Sequence, residues 1–210
     1  MIYLLALGSA VLYGAADFTG GLTTRRAGTI PVVIASQASG LLLLIAVLPL
    51  LPDATHSGSD MFWGAIAGLT GGIGVALLYR ALAIGVMAVV APTTAVCAVT
   101  IPVVVSIGLG ERPVPLALAG IVLGIVSIVL VSQQQSPTSD PSNSPRRSSG
   151  VGIALVSGVA IGFFFLALAQ TRSEAGMWPL VASRGASVLL FGIMPGPLMA
   201  LCVVSIQASL

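Results

Sequence analysis

The feature that most constrains this chain is the recurrence of apolar runs about as long as a bilayer's hydrocarbon core is thick, near 20 helical residues each. Residues 41–51 and 114–131 contain no charged side chain at all. A soluble domain of 210 residues must cover itself with charge, yet only 7% of this one is charged and 57% is hydrophobic. Mean hydropathy is +1.10. The solvent around such a chain is lipid, which predicts an integral membrane protein.

The runs are continuous instead of alternating, so they predict helices and not barrel strands. Seven spans are expected, near 2–22, 29–51, 61–84, 87–109, 114–132, 151–170 and 177–204. Short polar breaks join them, which suits antiparallel neighbours. One segment differs: residues 133–149 are polar and rich in proline and serine, and read as a flexible linker that neither folds nor enters the membrane.

That linker separates two related stretches. Slid by 148 positions without a gap, Ala6, Leu7, Ser9, Val11 and Gly14 face Ala154, Leu155, Ser157, Val159 and Gly162. Ala27, Gly28, Pro31, Val33, Ala38 and Ser39 likewise face Ala175, Gly176, Pro179, Val181, Ala186 and Ser187. With Thr23, Leu41, Leu42, Ile45, Pro49 and Leu50 the identities number 17. Matched Gly-loop-Pro punctuation is not a product of apolar composition, so the expectation is a duplication.

Five helices precede the linker, and an odd number inverts the second copy. The expected fold is all-α, with inverted five-helix repeats and seven transmembrane helices of an expected ten. Residues 1–132 form the first repeat, 133–149 the linker, and 150–210 the first two helices of an incomplete second repeat.

Charge excludes several functions. The net charge of +2 arises from eight arginines, no lysine and six acids, and no basic stretch exceeds two residues. Nucleic acid is therefore not an expected partner. Arg25-Arg26 and Arg146-Arg147 flank apolar runs as headgroup anchors. Cys97 and Cys202 lie in apolar runs, and the single histidine, His56, lies in a loop, so no metal or other cofactor is expected. There is no phosphate-binding GxxxxGK[ST] string for ATP hydrolysis.

A family resemblance rests on Tyr13-Gly14-Ala15-Ala16-Asp17-Phe18, Tyr79-Arg80-Ala81-Leu82, Ala91-Pro92, and Gly110-Glu111-Arg112 before a helix with Gly120 and Gly124. In this order the strings resemble the EamA-type transporters of the drug/metabolite transporter superfamily. The resemblance covers the first repeat and the first two helices of the second. It implies a ten-helix carrier of the cytoplasmic membrane that moves amino acids, nucleosides, drugs or other metabolites.

Candidate working residues are those whose chemistry is costly inside a membrane. Asp17 is an intramembrane carboxyl that must hold a proton or meet a cation, as proton coupling requires; an ion pair with Arg80 is the structural alternative. Arg184 is an intramembrane guanidinium suited to a substrate's anionic group, with snorkelling as its alternative. Thr93 and Thr94 stand beside Pro92 in helix four, where a missing N–H frees a carbonyl, and are the preferred uncharged cavity residues. Gly64, Gly68, Gly72, Gly120, Gly124, Gly158 and Gly162 recur at four-residue spacing and read as helix-packing faces.

The expected partners are thus a small-molecule solute and the lipid bilayer, with a homodimer as one assembly. The alternatives are a truncated non-transporting membrane subunit and, more remotely, an intramembrane enzyme using Ser106, Ser157 or Ser187. Positive-inside counting places the amino terminus outside, whereas the resemblance implies inside.

Overall fold

The computed structural model of the chain describes residues 2–52, 54–110, 115–134 and 144–193. Seven α-helices account for most of them: α1 (Ile2–Ala27), α2 (Thr29–Val47), α3 (Gly58–Ile84), α4 (Met87–Gly108), α5 (Pro115–Gln134), α6 (Ser144–Ala169) and α7 (Trp178–Ile193). Short 3-10 turns follow α2 at Leu48–Leu50 and precede α7 at Ser173–Ala175. Among the described residues there is no strand. Four helices, α2, α3, α4 and α6, are long and apolar enough to cross a membrane. α7 is a shorter apolar helix of 16 residues within the described part of the expected span.

Local chemistry sets the breaks. Gly28 adopts φ 83°, in the left-handed region that an L side chain disfavours, so α1 stops and α2 starts one residue later. Gly176 does the same at φ 55° before α7. α3 opens on a capping box: Ser57 Oγ accepts from the Asp60 N–H, and the Asp60 carboxylate accepts from the Ser57 N–H. α6 begins at Ser144, inside the stretch expected to stay unfolded. A proline is tolerated in a first turn, where its missing N–H has no intrahelical acceptor to serve, so Pro145 does not oppose this start. Residues 135–143 of the expected linker, Glu111-Arg112, Cys202 and the end of the seventh expected span lie outside the described residues.

α3 is the hub. It runs in the same direction as α7, with Gly64 against Pro179, Gly68 against Ser183 and Gly72 against Ser187. It runs opposite to α6, with Gly85 against Gly150, Gly74 against Ile161 and Gly71 against Phe164. α1 follows α3 in parallel, Gly20 beside Tyr79 and Gly21 beside Leu82, and Arg25 donates to the Leu82 carbonyl at 3.2 Å. α4 runs parallel to α6, with Cys97 on Gly158 and Ile101 on Gly162.

The approach along α3 is backbone to backbone. A Cβ built on Gly68 would lie 2.1 Å from the Ser183 carbonyl oxygen, and one on Gly64 would lie 2.5 Å from that of Pro179. Lipid chains are as apolar as leucine, so helices in a membrane associate by such close packing and by hydrogen bonds, not by expelling water. Around this ridge lie Val33, Leu77, Leu82, Ile153 and Phe191, all buried. Large apolar side chains elsewhere point outward, among them Leu4, Leu12, Leu42, Leu116 and Ile193.

Candidate functional site

The polar residues that the apolar composition makes conspicuous converge on one cavity of about 280 Å³. α1, α2, α3, α4, α6 and α7 all contribute to its lining. α1 gives Tyr13 and Asp17, one turn apart and therefore on one face. α2 gives Gln37 and α4 gives Thr94; α7 gives Ser183, Arg184 and Ser187. The remaining wall is apolar and aromatic, with Val75, Leu78, Ile161, Phe164 and Phe165. A small set of polar groups in an apolar, aromatic enclosure is the usual build of a small-molecule site.

Arg184 is the best-supported cation in the cavity. Its guanidinium donates to Gln37 Oε1, and Gln37 is only 2% exposed. Gly40, one turn beyond Gln37, leaves the space the arginine needs: a Cβ there would stand 3.5 Å from Arg184 Nε. Among the described residues no ion pair joins Arg184 to Glu174. A guanidinium has five N–H donors, so a single bond to a neutral amide leaves donors and the full charge available to a ligand.

Asp17 is half-buried, and among the described residues its carboxyl makes no hydrogen bond or ion pair. The pairing with Arg80 weighed above is thus not made. Arg80 lies outside the cavity lining although Tyr79 beside it packs on α1, because adjacent helical positions point about 100° apart.

Thr93 and Thr94 separate in the same way. Thr93 Oγ1 donates to Val89 O one turn back at 2.7 Å and does not line the cavity. Thr94 Oγ1 lines it and donates across to Ala154 O of α6 at 3.1 Å. The structure therefore brings Asp17, Thr94 and Arg184 together and leaves Arg80 and Thr93 outside.

The glycines divide as well. Gly64, Gly68 and Gly72 seat α7, while Gly158 and Gly162 seat α4. Gly124 of α5 would put a Cβ 3.0 Å from Val96. Gly120 is the exception, since nothing among the described residues lies within 4 Å of its Cβ position. Among the described residues the packing expected of it is not made.

Two serines tie the cavity wall to the hub. Ser187 Oγ donates to Gly68 O at 2.6 Å, and Ser157 Oγ donates to Gly74 O at 2.7 Å. Both glycine carbonyls are reachable because no side chain intervenes. Cys97, a free thiol, packs on Gly158 with its sulfur 3.6 Å from Leu155 O.

At one end of the bundle sits a polar lock that sequence reading did not foresee. The Asp60 carboxylate, already holding the α3 cap, also accepts from the Arg172 guanidinium at 2.8 Å and from the Arg172 backbone N–H at 3.1 Å. This acceptance holds the Arg172 pKa above its ordinary value. Thr55 N–H donates to Glu174 O at 3.1 Å, and the rings of His56 and Trp178 stack 4.5 Å apart. Together they clamp the α2–α3 loop to the α6–α7 loop.

Also missed was the aromatic wall, though three consecutive phenylalanines at 163–165 were visible. Two of them, Phe164 and Phe165, line the cavity, while Phe163 does not. Among the described residues no three His, Cys, Asp or Glu side chains gather as metal ligands. No protein-family model, curated protein or solved structure matches the chain.

Proposed function

We propose that the chain is a secondary carrier that moves a small solute bearing an anionic group across a membrane. The observation that carries this reading is the cavity itself: Asp17, Gln37, Thr94 and Arg184 come from four different helices and line one cavity. Arg184 would bind the solute's anionic group and Gln37 would orient the guanidinium. Asp17, without a partner among the described residues, would carry a coupling proton or a cationic group of the solute, and Phe164 and Phe165 would cover its apolar part.

The helix directions support an inverted-repeat carrier. α1 and its sequence counterpart α6 run oppositely with respect to α3, as an inverted duplication requires. Seven spans in a five-plus-two arrangement are part of the same proposal. So is membership in the EamA-type group, which rests on the strings around Asp17 and Arg80 and on Gly110-Glu111-Arg112.

A non-transporting membrane subunit is the second reading, favoured by an open groove of about 580 Å³ between α1 and α2 that Thr19, Ala35 and Ser39 line. An enzyme is less well supported. Ser157 and Ser187 spend their hydroxyl protons on backbone carbonyls, and His56 lies in a loop outside the cavity.

Purified chain in proteoliposomes, screened with a panel of carboxylate and zwitterionic metabolites, tests the proposal. Saturable uptake of one class that is lost in Arg184→Gln supports the carrier. Uptake unaffected by Arg184→Gln overturns the assigned site. Absence of uptake across the panel, with a well-folded chain, favours the subunit.

A further inference from the structure

The two related stretches make the same surface, and only one copy of it is covered. On α7, Ser183 and Ser187 are buried at 4% and 2% exposure because α3 lies on them, and Ala167 of α6 is buried at 5%. Their counterparts 148 positions earlier, Thr19, Ala35 and Ser39, are all exposed. They line an open groove of about 580 Å³ between α1 and α2.

The correspondence extends to chemistry. Ser157 and Ser187 donate across to α3 carbonyls. Ser9 and Ser39, their counterparts, donate instead to Ala6 O and Ser36 O of their own helices, at 2.8 and 3.0 Å. Exposure alone would mean only contact with lipid. Small and hydroxyl-bearing residues in one groove, matched to residues that receive a helix elsewhere in the same chain, mean a seat for a helix.

We propose that the α1–α2 groove receives a transmembrane partner helix with glycine or alanine at four-residue spacing, lying there as α3 lies on α6 and α7. The partner runs antiparallel to α1, as α3 runs to α6. One of its ridge carbonyls accepts from the hydroxyl of Ser39, which lines the groove. The occupant is not a second copy of this chain: its Gly64, Gly68 and Gly72 ridge is already filled by Pro179, Ser183 and Ser187, and on α5 Gly124 already meets Val96, which leaves Gly120 without a free glycine four residues away. This inference rests on the paired surfaces and not on the carrier proposal, so a chain that transports nothing leaves it intact.

The test uses a synthetic transmembrane peptide with the sequence of residues 58–84 and Gly72→Cys. In the α3–α7 contact a Cβ on Gly72 would lie 3.3 Å from Ser187 Cβ, close to the spacing of a disulfide. The full chain carries Ser39→Cys with Cys97→Ala and Cys202→Ala, and both are reconstituted in one vesicle under mild oxidant. A mixed disulfide is expected, about tenfold above that formed by a peptide whose Gly64 and Gly68 are leucine. It should also exceed by as much the disulfide formed by a chain with its cysteine at Val122 on the exposed face of α5. Adding Ala35→Leu to the chain should abolish the product without lowering its melting temperature. Equal yields with both peptides, or at Val122, would overturn the seat. So would a disulfide between two chains outcompeting the mixed one.

Discussion

Ser187 Oγ lies 2.6 Å from the carbonyl oxygen of Gly68 and 3.0 Å from that of Ser183, so one hydroxyl spans two helices at the edge of the cavity. The bond exists because Gly68 has no side chain, and the glycine is tolerated because the bond and the packing replace what its flexibility costs.

Removing either partner should therefore be felt, but unequally. Ser187→Ala forfeits an interhelical hydrogen bond, about 0.6 kcal/mol and at most about 2. Gly68→Ala drives a methyl to within 2.1 Å of a backbone oxygen, which no side-chain rotation relieves. It should cost about 1–3 kcal/mol or more, as overpacking does. Ser39→Ala, the counterpart bonded to its own helix, should cost nothing measurable in the isolated chain. Unfolding in mixed micelles, monitored by the circular dichroism of the helices, checks the ranking; a Ser39→Ala loss equal to that of Ser187→Ala would contradict it.

Arg184 and Gln37 make a second pair whose roles can be separated. Arg184→Lys keeps the charge but shortens the reach and loses the planar fork, so solute affinity should fall about tenfold while some binding remains. Gln37→Leu keeps the guanidinium and removes its orienting acceptor. It should raise the half-saturating concentration with a smaller effect on maximal uptake. Titration of proteoliposome uptake against solute concentration distinguishes the two. Identical, complete losses would indicate that both substitutions unfold the bundle.

Much of this architecture is written in local sequence. Apolar runs place the helices, Gly28 and Gly176 mark breaks where φ is positive, and four-residue glycine spacing marks the faces that touch. What is not local is which face meets which helix. Gln37 and Arg184 are 147 positions apart, and Asp60 and Arg172 are 112 apart. Composition cannot pair them, because the packing of α2 on α7 decides the first match and the antiparallel register of α3 and α6 the second. Thr93 and Thr94 show the same limit within one helix, where a one-residue step turns a side chain from the cavity to its own backbone. The start of α6 at Ser144 is not legible from polar composition, because Pro145 is tolerated in a first turn.

The Asp60–Arg172 lock predicts an asymmetry. Asp60 is 2% exposed and serves the Ser57 cap, the Arg172 backbone and the Arg172 guanidinium at once. Arg172, at 51% exposure, contributes the guanidinium alone from its side chain. Asp60→Asn should therefore lower the melting temperature clearly more than Arg172→Gln does. The arginine's share should shrink in high salt, since its side chain is screened by water. Proteolysis in the 52–57 loop should accelerate in both variants, faster in Asp60→Asn, because the clamp between the two loops loosens. Melting curves at low and high salt check the order; equal shifts would mean that the cap and the backbone contact add nothing to the ion pair.

Asp17 gives the sharpest test of coupling. Its carboxyl sits half-buried in the cavity wall with no partner among the described residues, one turn from Tyr13, and lines the same cavity as Arg184. An unpaired carboxylate there is unfavourable, so the group gains from taking up a proton or a cationic ligand, and that gain is what a carrier converts into coupled movement. Asp17→Asn keeps size and hydrogen-bonding capacity while removing titration. In proteoliposomes with an imposed pH gradient the parent chain should accumulate solute above equilibrium. The variant should exchange solute across equal pH at a comparable rate but fail to accumulate it. Accumulation that persists unchanged in Asp17→Asn would assign the proton elsewhere. Loss of exchange as well as accumulation would instead make Asp17 a ligand for the solute's cationic group, and a solute lacking that group should then bind the parent chain and the variant equally.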